Sequence, residues 1–303
     1  MSVLYVVATP IGNMGDVSRR AIETLAACDV IACEDTRRTR GLLTHFDIRG
    51  KRLVSYHKFN EVSRADGLVG QMLDGGLSVA LVCDAGTPGI SDPGSRLVRS
   101  ARERGVKVLS VCGPSAVAAA VSVCGFEPSG FEFIGFLPRV EKERKAVFEG
   151  VRRAARRVFV FYESPRRIAA FAERLAAELP GAEACFCADI SKLHEKSYYG
   201  PVDEVALAIA ADPEAALGEY TVVVQKARDA SRAAPDALHA DQDAPRLRAF
   251  PRGLTAEAAL AEAASRLSAG PNQAIERLCA EDIGYSKNEL YRASLNLKKL
   301  LGI

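Results

Sequence analysis

The sequence predicts an α/β protein. Two successive α/β domains, residues 1–125 and 126–226, are followed by a linker at 227–253 and a small C-terminal helical module at 254–303. Three observations carry this prediction. Short β-branched runs alternate with amphipathic stretches through the first 125 residues, a second set of such runs follows, and the composition changes abruptly after Lys226. A length of 303 residues agrees with at least two folded units at roughly 150 residues each.

In the first domain the strand-like runs are Leu4–Ala8, Val30–Cys33, Leu53–Tyr56, Val79–Cys83 and Val106–Val111. Amphipathic stretches such as Ser18–Cys28 and Ser95–Gly105 lie between them. Near-continuous apolar strands separated by helices mean a mainly parallel sheet covered on both faces. The second domain offers Phe131–Phe136, Arg157–Glu163, Glu183–Ile190 and Tyr220–Lys226 as strands, with a further short one in "EKSYYGP". Helical stretches at Glu141–Arg153 and Arg166–Glu178 complete the pattern of a mixed sheet with helices on it. Residues 227–253 hold few large apolar side chains, three prolines and mixed charge, which reads as a linker. Three short helices are expected beyond it, at 255–270, 271–284 and 286–301. Thr255 and Ser286 are their candidate N-caps, Glu289 completes a capping box with Ser286, and Gly270 and Gly284 are stops.

Composition narrows the class. With 48% hydrophobic and 26% charged residues, the chain reads as an ordinary folded protein. Its net charge of +2 leaves any basic surface to local clustering. The eight cysteines contain no C-x-x-C. Most sit in apolar runs, Cys83 and Cys112 among them, where thiols pack as small hydrophobes, so a reduced, cytoplasmic protein is expected. The N-terminus lacks a signal-peptide pattern, no run approaches the ~18 apolar residues of a membrane span, and no histidine–carboxylate cluster has metal-ligand spacing.

Glycine and proline concentrate where strands end. "TPIGNMGD" (Thr9–Asp16), "EDTRRTR" (Glu34–Arg40), "DAGTPGISDPG" (Asp84–Gly94), "CGPSA" (Cys112–Ala116) and "YESPRR" (Tyr162–Arg167) each follow a predicted strand. In open parallel sheets, ligands bind beyond the carboxyl ends of the strands. The Asp84–Gly94 loop is longer than a turn requires. Its Gly86 and Gly89 let backbone approach a ligand, and Pro88 and Pro93 fix its shape. Neither G-x-x-x-x-G-K-[ST] nor a G-x-G-x-x-G after the first strand occurs, so nucleoside-triphosphate and dinucleotide loops are excluded. Backbone-rich loops with few cations suit a phosphate-free nucleotide with a zwitterionic amino-acid end, a description that S-adenosylmethionine meets.

"LYVVATPIGNMGD", "ACEDTRRTRGLL", "DAGTPGISDPG", "GPSA", "GFLPR", "FYESPRR", "KLHE" and "GEYTVVV" together resemble the tetrapyrrole-methylase-like (class III) methyltransferases, in order from about residue 3 to 226. The resemblance is strongest to the branch of that family that acts on ribosomal RNA. It implies two α/β domains of the tetrapyrrole-methylase type with S-adenosyl-L-methionine in the cleft between them. It also implies methyl transfer to the 2′-hydroxyl of a decoding-centre cytidine in 16S rRNA of the small ribosomal subunit, by a homodimer. On matching positions, the cofactor would meet Pro10, Asp84, Gly86, Thr87, Ser91, Ser115 and Ala116 from the first domain, and Tyr162 and Thr221 from the second.

A ribose hydroxyl is a weak acid and needs help losing its proton. Glu34 and Asp35 are candidate acceptors, although Asp35 also fits a helix cap with Glu34 beside it. Lys192 is a candidate base if desolvated, or a cation that polarises the hydroxyl. His194 reads as a surface or structural residue. Between Arg139 and Arg167 ten basic residues face four acidic ones, and Arg37, Arg38 and Arg40 form a second basic group. Arg37, Arg152, Arg153, Arg156, Arg157, Arg166 and Arg167 are therefore the expected RNA contacts. Tyr198 and Tyr199 are candidate stacking residues, and Arg292, Lys298 and Lys299 are basic points of the helical module. Two alternatives stay open: a tetrapyrrole C-methyltransferase on the same fold, and a ribosome-assembly factor without catalytic activity.

Overall fold

A computed structural model describes residues 2–126, 130–227, 255–267, 275 and 285–301. The chain divides into two compact units, Met1–Arg232 and Ala233–Ile303.

The first unit contains two five-stranded sheets. Strands β1 (Val3–Val7), β2 (Val30–Cys33), β3 (Arg52–Ser55), β4 (Ser78–Leu81) and β5 (Lys107–Val111) form the first. Its order is β3-β2-β4-β1-β5, and all its pairings are parallel. Each strand is followed by a helix: α1 (Arg19–Ala27), α2 (Thr36–His45), α3 (Glu61–Gly75), α4 (Ser95–Glu103) and α5 (Ala116–Val123). One face of the sheet packs Leu4, Val79 and Leu81 against Leu68, Met72 and Leu97. The other packs Val7, Ile31 and Ala80 against Leu25 and Leu43. That burial on both faces is why the strands read as unbroken apolar runs.

The second sheet is mixed, as the sequence predicts. β6 (Phe131–Phe136), β7 (Val158–Glu163), β8 (Glu183–Ala188), β9 (Lys196–Pro201) and β10 (Tyr220–Gln225) lie in the order β6-β7-β10-β8-β9. Only β6 and β7 run parallel. Helices α6 (Glu141–Arg153), α7 (Ile168–Glu178) and α8 (Val202–Ala211) cover one face, over Phe148, Phe161, Phe171, Phe186 and Leu175. The other face receives α5: Val117, Ala120 and Cys124 pack on Val160, Cys185 and Val223. The first sheet's last helix is thus part of the second sheet's core, and the expected boundary at 125–126 falls at the end of this shared layer.

Strand ends differ from expectation by a residue or two. The fourth strand stops at Leu81 instead of Cys83, because the Cys83 thiol and the following backbone turn toward the loop: Cys83 Sγ lies 3.3 Å from the carbonyls of both Ala85 and Gly86. Cys112, expected in the core, is exposed; β5 is an edge strand and Cys112 lies just past it. The other described cysteines are buried, and all seven are free thiols.

In the second unit, helices Ala256–Leu267 and Lys287–Leu301 pack on each other through Leu260 and Leu290, and Asn296 donates to Glu257 at 2.9 Å. Ser286 and Glu289 form the expected capping box: Ser286 N donates to the Glu289 carboxylate at 2.8 Å, and Glu289 N donates to Ser286 Oγ at 3.3 Å. Thr255 Oγ1 accepts from Ala258 N at 3.3 Å. The linker at 228–253, the helix read at 271–284, both glycine stops and the Lys298 and Lys299 side chains lie outside the described residues, Ile275 excepted. Among the described residues no helix is long and apolar enough to cross a membrane.

Phe161 is fully buried and edge-on to Phe171, with ring centroids 5.6 Å apart. Truncation there leaves a cavity that the neighbouring Phe171 ring cannot fill. Phe161→Ala is expected to lose about 3–5 kcal/mol, read as a lowered urea midpoint at unchanged slope.

Candidate functional site

Three loops at the carboxyl ends of the first sheet are stitched together. After β1, Thr9 pairs with Gly86 of the loop after β4: Thr9 N donates to Gly86 O at 2.8 Å, and Gly86 N donates to Thr9 O at 3.0 Å. Thr9 is buried, and its hydroxyl donates to Cys83 O at 3.1 Å. Thr87 Oγ1 then donates to Pro114 O at 3.2 Å, fixing the loop after β5. Gly86 has φ +80°, in the left-handed region that a side chain adopts only under strain. Of the two glycines expected to bare the backbone, Gly86 lies at this point, whereas Gly89 lines neither of the two cavities beside these loops.

These loops face the second sheet across a cavity of about 390 Å³, within the range of small-molecule sites. Gly86, Thr87, Ser91, Ser115 and Ala116 line it from one side, with Tyr162 and Thr221 opposite. Seven of the nine expected cofactor residues therefore meet in one place. Pro10 and Asp84 do not join them. They line an adjoining cavity of about 340 Å³ together with Gly12, Met14 and Arg38. Asp84 is turned that way by its partners: Asp35 N donates to its carboxylate at 3.1 Å, and Arg38 Nε stands 3.6 Å from it. Four residues, Ile11, Ala85, Lys192 and Glu219, line both cavities.

The proposed catalytic residues separate. Asp35 caps α2, accepting from Arg37 N at 2.7 Å and pairing with the Arg37 guanidinium at 2.9 Å. Those bonds hold its carboxyl down at about 2, and it lines neither cavity. Glu34 is half-buried and also lines neither; burial first, then Asp84 and Asp92, push its pKa up. Lys192 lies at the seam. Its ammonium is 2.7 Å from Asp189 and 2.8 Å from Glu219. Burial opposes its charge, but these two carboxylates outweigh it and raise its pKa, so Lys192 is a cation and not a base.

Residues that sequence reasoning missed complete the wall. Asp92 lines the first cavity, and burial, reinforced by Asp84, raises its pKa. Glu163 is fully buried beside Tyr162; its carboxylate accepts from Ser164 N at 2.7 Å and pairs with Arg167 at 3.1 Å. Tyr162 is pushed up to about 12 by burial and by Asp92, so its hydroxyl stays a neutral donor. Asp189 and Glu219 flank residues that the sequence did mark, within "KLHE" and "GEYTVVV" respectively, and the strand-end rule applied to β8 points to Asp189.

The loop after β8 crosses to the first sheet. Ser191 Oγ bonds Asp16, and the Lys192 stem lies over Gly12, where a β-carbon would come within 2.5 Å of it. A β-carbon on Gly218, which has φ +83°, would likewise fall on the Asp189 carboxylate. Asp189 and Ser191 themselves have left-handed backbones, at φ 51° and 69°, as strained residues at functional sites do.

The expected RNA contacts are unevenly available. Arg156 and Arg166 are exposed. Arg152 pairs with Glu178 at 2.5 Å, and Arg153 pairs with Glu149. Arg157 is half-buried and donates to Lys226 O at 3.2 Å, while Arg167 is committed to Glu163, so these two serve the fold. Tyr198 bonds Asp212 at 2.5 Å and packs against the core; Tyr199 is exposed beside Phe126. His194 and Arg292 are exposed.

Strand-end loops of a parallel sheet, closed over by a mixed sheet, define a two-sheet α/β protein with its cavity at the strand ends. Diphthine synthase shares the fold (TM-score 0.55, 16% identity, 75% of this chain and 90% of that one). So does uroporphyrin-III-C-methyltransferase from Thermus thermophilus (TM-score 0.51, 16% identity, 74% and 94%). The family model of Tetrapyrrole (Corrin/Porphyrin) Methylases matches residues 3–206, and the chain belongs to that family. Within it, the chain is 44% identical to the ribosomal RNA small subunit methyltransferase I of Neisseria meningitidis serogroup B over 75% of its own length and 77% of that protein's. It is 38% identical to the protein of the same name from Mesorhizobium japonicum over 99% and 93%, and 37% identical to that of Escherichia coli O157:H7 over 96% and 94%.

The protein is an S-adenosylmethionine-dependent methyltransferase. Its first cavity fits that donor. Gly86 leaves the loop free of a side chain where a ligand approaches, and the N-terminus of α5, whose Ser115 side chain makes no cap, offers N–H groups to a carboxylate. The acidic wall of Asp92 and Glu163 suits a positively charged ligand. Gly86→Val forces a β-branched side chain into the left-handed region, at a cost of about 1–3 kcal/mol. Calorimetry is expected to show at least about tenfold weaker S-adenosylmethionine binding, with far-UV circular dichroism unchanged.

Proposed function

We propose that this enzyme methylates the ribose 2′-hydroxyl of a decoding-centre cytidine in 16S rRNA, with the small ribosomal subunit as substrate. The observation that carries the reading is the pair of adjoining cavities with a shared wall: the donor's cavity is backbone-rich with an acidic side, and its neighbour sets the cations Arg38 and Lys192 beside Asp84 and Glu219. Arg38 and Lys192 line the second cavity, and Arg37, Arg38 and Arg40 lie along α2, whose start is bonded to Asp84. Such a wall suits a nucleotide held by its phosphate. Relatives that carry the name ribosomal RNA small subunit methyltransferase I, similar over nearly the whole chain, support the same substrate.

When bound, the donor supplies a methyl group on a sulfonium. The chain's own residues supply position and charge. Thr9, Gly86 and Thr87 hold the loops rigid, so the two cavities keep a fixed offset and orientation can supply much of the rate. Lys192, held as a cation, donates a hydrogen bond to the acceptor oxygen and favours its deprotonated form. Exposed Arg166, directly after the cavity-lining Pro165, and Arg37 on α2 meet the phosphate backbone.

Small subunits from cells lacking the enzyme, incubated with methyl-labelled S-adenosylmethionine, are expected to take label at one cytidine 2′-oxygen of 16S rRNA. Label in uroporphyrinogen and none in the subunits would overturn the reading. If Arg37 and Arg166 each neutralise one phosphate, the Arg37→Ala/Arg166→Ala variant should reduce the slope of log affinity against log salt by about 1.4–1.8. An unaltered slope removes both residues from the interface.

A further inference from the structure

The base that takes the hydroxyl proton can be found by elimination along the cavity walls. A hydroxyl positioned to accept a methyl group from the first cavity while its nucleotide sits in the second must lie at their seam. Ile11, Ala85, Lys192 and Glu219 form that seam, and Glu219 supplies its one carboxylate. The other carboxylates on these walls are engaged or remote. Asp84 accepts from Asp35 N and faces Arg38. Glu163 accepts from Ser164 N and pairs with Arg167. Asp189 accepts from both Lys192 and Glu219 N, the latter at 3.2 Å. Asp92 lies in the first cavity only.

We propose that Glu219 is the general base of the transfer, and that Lys192 and Glu219 act on the acceptor hydroxyl as a donor–acceptor pair. This inference rests on the two-cavity reading above. The ammonium carries three N–H bonds. Asp189 and Glu219 take two of them, which leaves the third for the hydroxyl oxygen. The Glu219 side chain is 73% exposed, and among the described residues its carboxylate pairs with Lys192 alone, so it has free lone pairs for the hydroxyl proton and an open path to water. In the step, the acceptor's O–H bond breaks and its proton passes to a Glu219 oxygen. The oxygen–carbon bond forms, and the carbon–sulfur bond breaks with its electron pair kept by sulfur. The sulfonium charge is thereby discharged, and Glu219 then returns its proton to water. Asp189 is the positioning residue. Gly218, which has no room for a side chain against its carboxylate, keeps it under Lys192.

The test uses the full-length enzyme and small subunits from cells lacking it. In single-turnover assays, Glu219→Gln should slow transfer at least about 100-fold, the lower end for a lost general base. It should also abolish the acid-side inflection of the pH–rate profile. S-adenosylmethionine affinity by calorimetry and subunit affinity by filter binding should stay within about twofold. Glu219→Asp should regain part of the rate and restore the inflection. A Glu219→Gln rate within about tenfold of the native one with the inflection intact would overturn the proposal. So would a rate loss matched by lost cofactor or subunit affinity, which marks a structural role. Failure of the native enzyme to label subunits would instead remove the two-cavity reading, and Glu219's role with it.

Discussion

The structure depends on one short piece of antiparallel pairing between two loops of a parallel sheet. Loops at the ends of parallel strands share no ladder and would otherwise move independently. The Thr9–Gly86 exchange of two backbone hydrogen bonds, backed by the buried Thr9 hydroxyl, ties the end of β1 to the end of β4. Thr87 extends the tie to the loop after β5. The wall of the donor cavity is thus a continuation of the sheet's hydrogen bonding. Its shape is set before any ligand arrives, which is the condition for positioning to contribute to rate.

Charge is distributed unequally about this wall. Acidic groups crowd the donor side: burial, reinforced by Asp84, raises the pKa of Asp92, and Glu163 is fully buried. Keeping carboxylates close together in a low-dielectric setting costs free energy. A cationic ligand relieves that cost by favouring their charged forms, so the protein's own electrostatic strain contributes to affinity. Basic groups lie on the opposite side of the seam, where an anionic polymer would run. Lys192 and Glu219 join the two fields as a single ion pair.

Much of this was legible in the sequence, for physical reasons that differ by element. The parallel sheet announced itself because both its faces are buried, and the Ser286–Glu289 box because capping is a local interaction. Seven residues expected at the cofactor from strand-end loops and the family's motifs line one cavity. Local chemistry did not indicate what distant partners would do. Asp35 was equally legible as a base or a cap until Arg37 and the helix claimed it. Asp84 faces the second cavity because of Arg38 and Asp35 N, contacts no spacing rule encodes. Cys112 sits in an apolar run yet is exposed, since edge position is a property of sheet order. Glu219 was overlooked because an acidic residue before a strand looks like any solvated end. It becomes distinctive only when β8 and β10 pair and bring Lys192 to it.

Gly12 stands in a glycine-containing loop and would ordinarily be credited with turning the chain. Its other office is to be vacant: the aliphatic stem of Lys192, arriving from the opposite sheet, occupies the volume a methyl group would need. The two positions therefore form a lock and a berth some 180 residues apart in sequence. Glycine is thus required there twice over, by a backbone at φ +145° that side chains rarely adopt and by the lysine stem, and a side chain that filled the berth would displace the lysine.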